Sequence, residues 1–276
     1  GGEGLDAVLA ALPRTPAGRH APLIRALSLV DRPEIEARVS PWLGADEPAL
    51  RAAALSILTF RGVEPGRALG KIQADDLPAL VQAGIIAARS ARSRPLQQLA
   101  GEALASPVPA LRAEAILTGL ILGFSAAWDA CRRFVASRDP GSAPLLSLAA
   151  MVGSSADQQA VHEALSVPAL ERAALEALAH GGTVAGAEAC LVRLRDPRLT
   201  RVAGAAFWTI TGVPLRGPLL AARSRDDDDA LDPPDGDLAR LGREAALPAL
   251  DPAAAEAWWA DNRARFEPTT RHLFGE

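Results

Sequence analysis

PALRAAALSIL at 48–58, PALRAEAILTG at 109–119 and PALERAALEAL at 168–178 are three copies of one pattern: an apolar anchor, a charge close behind it, then small residues alternating with Leu or Ile. PALVQAGIIAA (78–88), PLLSLAAMVGS (144–154) and PRLTRVAGAAF (197–207) follow the same scheme, and APLIRALSLV (21–30) is a degenerate further copy. The anchors Leu50, Leu80, Leu111, Leu146, Leu170 and Leu199 lie at intervals of 30, 31, 35, 24 and 29 residues. A period near 30 suits two short antiparallel helices and two turns, since a helix of about 12 residues rises about 18 Å. Within a copy, Leu50, Ala54, Leu55 and Leu58 share one helical stripe.

The punctuation agrees with that reading. Pro48, Pro78, Pro109 and Pro168 precede the anchors, where a first helical turn has no use for the missing N–H. Gly62, Gly123, Gly153 and Gly181 follow the periodic runs, as C-caps should. The second helix of each pair is expected at 33–43, 66–75, 95–105, 126–136, 157–165 and 184–194. One such hairpin cannot cover its own apolar face, so neighbours must stack. The expected fold class is all-α: a right-handed α-solenoid of HEAT-like helical pairs with a C-terminal capping helix and under about 5% strand.

The organisation that follows is a lead segment at 1–17, a repeat array at 18–212, an acidic Pro-rich excursion at 213–250, and a capping helix and tail at 251–276. Asp251 reads as the N-cap of the last helix, 252–266, and Pro252 as its first residue. Ala255, Trp259 and Phe266 fall broadly on one side of it, and that side is expected against Phe207 and Ile210.

Composition narrows the function. The chain has 276 residues, 49% hydrophobic and 22% charged, with no Tyr. That describes a globular chain whose core rests on Leu, Ala, Val and Ile. The net charge of −4 argues against general nucleic-acid binding, which needs a clustered basic surface. Lys71 is the only lysine, which reads first as codon bias and second as selection for the planar, carboxylate-pairing fork of Arg. Two distant cysteines, Cys131 and Cys190, do not make a disulfide framework, and a reducing compartment fits. No charged-then-apolar leader opens the chain, and no apolar run reaches about 18 residues. A cytoplasmic protein without a membrane span is the expectation.

Candidate chemistry is sparse. Asp226–Asp229 with Asp232, Asp235 and Asp237 lacks EF-hand spacing and reads as a solvated acidic loop able to dock a basic partner. His20, His162, His180 and His272 are scattered and show no metal spacing. Cys131 beside Arg132 and Arg133 is favoured as a packed thiol over a reactive one. No P-loop, GxGxxG or GxSxG occurs, and no cofactor or metal is expected. Trp42, Trp128 and Trp208 read as packing residues, Trp208 the most ambiguous because it falls where the repeats meet the C-terminal cap.

PALRAEA and PALERAALEAL resemble HEAT-like repeats of the short bilin-lyase type, in which the anchor-plus-Arg helix lines the concave face. RVAGAAFWTITGV (201–213), the acidic Pro-rich stretch, AWWADNRARF (257–266) and RHLFG (271–275), in that order, resemble an uncharacterised bacterial HEAT-repeat family often found near type VI secretion genes. That resemblance implies a partner protein, a secretion effector or secretion component, and carries over no catalytic residues. The residues expected in a protein-binding groove are Gln82, Arg89, Glu114, Arg172, Glu176, Arg201 and Trp208. A non-catalytic, chaperone-like adaptor is the leading reading. A HEAT-like enzyme or nucleic-acid-processing protein, such as a DNA glycosylase with a cryptic site in the same groove, is the alternative.

Overall fold

The computed structural model describes residues 2–65, 72–73, 76–220 and 249–276. The described residues are helical, without a strand beyond one isolated antiparallel bridge, Leu220 to Leu250. None of these helices is long and apolar enough to cross a membrane. The chain divides into two compact units, Gly1–Cys131 and Arg132–Glu276, and the division falls inside the span 18–212.

In the N-terminal unit the helices are α1 (Gly2–Ala11), α2 (His20–Leu29), α3 (Glu34–Val39), α4 (Pro48–Phe60), α5 (Pro78–Ala87), α6 (Arg94–Glu102) and α7 (Pro109–Ile121). Helices α2, α4, α5 and α7 pack side by side in that order, α3 lies against α4, and α6 lies against α5 and α7. Pro occupies the first turn of α4, α5 and α7 after non-helical N-caps at Glu47, Leu77 and Val108. Flanked on both sides, α4 buries most of its surface: Ala52, Ala53, Ala54, Leu55, Ile57 and Leu58. Small side chains are what allow neighbours that close on two sides. The lead segment is itself helix α1, whose Leu9, with Leu12 just beyond, enters the same core. The second helix expected at 66–75 lies outside the described residues apart from 72 and 73.

Helix α8 (Ser125–Ala136) runs through the division. The C-terminal unit then holds α9 (Ala143–Val152), α10 (Ser155–Ala164), α11 (Glu171–Gly181), α12 (Val184–Arg193), α13 (Thr200–Thr211) and α14 (Pro252–Asn262). Helices α9, α11 and α13 pack side by side, with α10 against the first two and α12 against the last two. Two expected starts shift. Pro168 and Pro197 sit in turns closed by Leu170 N–H to the Val167 carbonyl (2.8 Å) and Leu199 N–H to the Asp196 carbonyl (2.9 Å), so Leu170 and Leu199 are N-caps. Two expected glycine caps also change. Gly153 ends α9 in an extended conformation, and Gly181 is the last residue of α11, leaving the left-handed position to Gly182.

Helix α14 begins as its sequence implies, with Asp251 accepting from Ala254 N–H at 2.8 Å. It stops at Asn262, and Phe266 arrives through the 3-10 turn Arg263–Arg265. Ala255, Trp259 and Phe266 are buried. Trp258 and Trp259 meet the edge of Phe207 with ring centroids 6.1 and 5.7 Å apart, Phe266 closes on Trp259 at 5.1 Å, and Arg263 lies over the Trp259 ring.

The segment after Phe266 seals the ends of α11 and α13 by backbone bonding. His272 N–H donates to the Gly182 carbonyl and Phe274 N–H to the Thr209 carbonyl, each at 2.7 Å, and Gly275 N–H to Ile210 at 3.2 Å. The Arg271 guanidinium donates to the Met151 carbonyl at the end of α9. Gly182 and Gly212 take left-handed φ of 65° and 63°, and a Cβ on Gly212 would stand 2.2 Å from the Phe274 carbonyl oxygen. Only glycine combines that conformation with so close a strand of backbone.

Trp259→Ala should cost about 3–5 kcal/mol, the range for removing a well-buried aromatic, read as a lower Tm in thermal unfolding. A second expectation concerns the capping box of α10, where Asp157 accepts from Ser154 N–H and Oγ at 2.7 Å and from Arg132 Nε at 3.0 Å. Burial pushes this carboxyl up, but the Ser154 and Arg132 bonds outweigh it and leave it below its ordinary 3.8. Its contribution is therefore present above pH 3.8 and lost as pH falls through the lower folded-state value. Asp157→Asn should cost about 1 kcal/mol at pH 7, with the deficit shrinking below pH 4 in acid-unfolding titrations.

Candidate protein-binding grooves

Each unit carries a groove on the row of side-by-side helices. In the C-terminal unit a cavity of about 840 Å³ opens between α11 and α13. Its floor is small and apolar, from Ala169, Ala173, Ala179, Ala205, Ala206 and Val202, and its walls carry Glu171, Arg172, Glu176, His180 and Arg198. Helical spacing explains the set: 169, 172, 173, 176 and 180 recur on one face of α11 and its lead-in turn, and 202, 205, 206 and 209 on one face of α13. In the N-terminal unit a smaller cavity of about 260 Å³ is lined by Ala49, Ala52, Ala53, Ser56, Gln82 and Ala83 of α4 and α5, with His20 and Ile24 of α2.

Charges on the large groove are both acidic and basic. Glu171 lies between Arg193 (3.9 Å) and Arg198 (3.6 Å), and Arg198 closes on Asp196 at 2.7 Å. The bonds from Arg198 hold the Asp196 carboxyl below its ordinary range. His180 faces Ser147 Oγ at 3.2 Å. Glu176 is exposed.

The expected groove residues separate on this geometry. Arg172 and Glu176 line the large groove together, and Gln82 lines the small one. Arg89 and Glu114 join each other across α5 and α7 in an ion pair, with Arg89 Nε also donating to Thr118 Oγ1 at 2.9 Å. Arg201 lies outside the lining residues. Trp208 is half-buried under the C-terminal segment, its ring 5.1 Å from Phe274. Sequence reasoning missed Glu171, His180 and Arg198. His180 was reachable, being four residues beyond Glu176 on the same helix. Arg198 was not, because its approach depends on the turn at 196–199.

Among the described residues no cluster of three or more His, Cys, Asp or Glu could hold a metal ion. The acidic run 226–229 lies outside them. Both cysteines are buried, and burial pushes the Cys190 thiol up to about 12. No protein-family model, no curated protein and no solved structure matches the chain.

At pH 8 a thiol titrating at about 12 is ionised to about one part in ten thousand, so native protein should take no iodoacetamide label at Cys190, while denatured protein should label there fully. Peptide mapping by mass spectrometry reads both, and native labelling at Cys190 would mean that α12 opens locally.

Proposed function

We propose that the chain is a right-handed α-solenoid of HEAT-like pairs that holds another protein in its grooves, a non-catalytic adaptor or chaperone-like accessory of the cytoplasm. The observation that carries this reading is the groove between α11 and α13, with its alanine floor and charges of both signs. Small floor residues leave room for side chains or a helix from a partner, and mixed charge suits a protein surface more than a polyphosphate. The side-by-side order of α2, α4, α5 and α7, and of α9, α11 and α13, supports stacked pairs. The family resemblance of 201–275 makes the partner a type VI secretion effector or secretion component.

The test is Ala205→Trp, which fills the floor from a half-buried position. Affinity capture from the native bacterium, quantified by mass spectrometry, should recover the partner at least about tenfold less with this variant than with the parent, at comparable Tm. Equal recovery would remove the groove from the account. Tight, strongly salt-dependent binding of duplex DNA by the parent would favour the nucleic-acid-processing alternative instead.

A further inference from the structure

The chain itself shows what the pair α11 and α13 accepts between its members. Helix α12 packs on both of them and contributes no residue to the lining of the large groove, so it covers another face of the same pair. It does so with a short apolar stripe, Val184, Ala187, Cys190 and Leu191. Arg193, at its end, comes within 3.9 Å of the Glu171 carboxylate. A helix of about three turns, small and apolar on one side and basic at its edge, therefore already lies against these two helices.

The groove has the dimensions for a second helix. Arg172 to His180 covers about 12 Å of α11, and Val202 to Thr209 about 11 Å of α13, at 1.5 Å per residue. Two to three helical turns run that length. Ala173, Ala205 and Ala206 keep the floor low, which lets a helix backbone come close.

The charges on its walls are engaged, apart from one. Glu171 lies between Arg193 and Arg198, and Arg198 also closes on Asp196. The Arg172 guanidinium donates to the Arg198 carbonyl at 3.5 Å, and His180 faces Ser147 Oγ. Glu176 lies on the lined face of α11 between Ala173 and His180. It is exposed and in no ion pair among the described residues. A wholly apolar occupant would strip water from this carboxylate and leave it unpaired, an unfavourable exchange. An occupant with a cation at that height removes the conflict.

We infer that the occupant is an amphipathic helix of a partner protein, about three turns long, with a docking face of Ala, Val and Leu and one Lys or Arg placed to meet Glu176. This rests on the reading that the groove holds a protein, and adds the chemistry of the occupant.

The probe is a pair of stapled, fluorescently labelled model helices of about twelve residues. Both carry Ala and Leu on one face; the first has one lysine at the edge of that face, and its twin has glutamate there. Each is titrated onto the full chain by fluorescence anisotropy at low salt. The lysine helix should saturate with a Kd below about 1 mM. It should bind at least about threefold tighter than its twin, the size an exposed ion pair supports. Glu176→Gln should level the two and Glu176→Lys should reverse their order, each at parental Tm. Ala205→Trp should block both. No saturation by the lysine helix, or an unchanged preference in Glu176→Lys, overturns the inference. Binding that Ala205→Trp blocks but that shows no charge preference overturns it alone and leaves the groove as the site. Binding that Ala205→Trp does not touch overturns it together with the groove.

Discussion

A pair of short helices cannot cover its own apolar stripe, and that constraint organises both units. It explains why α4 and α11, each flanked on two sides, are buried over most of their surface by alanine and leucine. It also explains the helices that flank these rows. Helix α1 brings Leu9 into the core beside α2, and α14 brings Trp259 and Phe266 onto Phe207 of α13. Ala-rich faces allow close approach but bury little area per residue, so large aromatics concentrate at α13, the last of the side-by-side helices among the described residues.

Arginine does more here than pair with carboxylates. Arg61 spans two carbonyls past the end of α2, and Arg271 reaches the last turn of α9. Arg195 forks onto Glu256 of α14 with contacts of 2.7–3.0 Å, and Arg263 lies over Trp259 while bonding Glu188 at 2.9 Å. A planar guanidinium can satisfy two acceptors at once or lie flat on a ring, which an ammonium does less well. The near-absence of lysine thus has a structural use at these positions, whatever produced it.

Some helix starts were legible from local signals. Proline in the first turn marked α4, α5 and α7, and the Asp251-Pro252 pair marked α14. At Pro168 and Pro197 the same residue opens a turn three positions before the helix, a choice made by bonds to Val167 and Asp196 that proline alone does not announce. The groove was partly legible: Arg172 and Glu176 follow from helical spacing, but the pairing of Arg89 with Glu114 depends on which helix lies alongside α5. The seal by 271–275 left almost no trace, because backbone N–H groups form it and any residue but proline supplies one.

That seal has a consequence for the order of events during synthesis. Chains emerge N-terminus first, and early segments fold as they appear. The bond from Arg271 to Met151 joins positions 120 residues apart, so the end of α9 waits for almost the whole unit to leave the ribosome. Until residues 271–275 emerge, α11 and α13 present bare carbonyls and the Trp208 ring to whatever binds nascent chains. A chain that ends before residue 271 would therefore lack the backbone bonds to Gly182, Thr209 and Ile210.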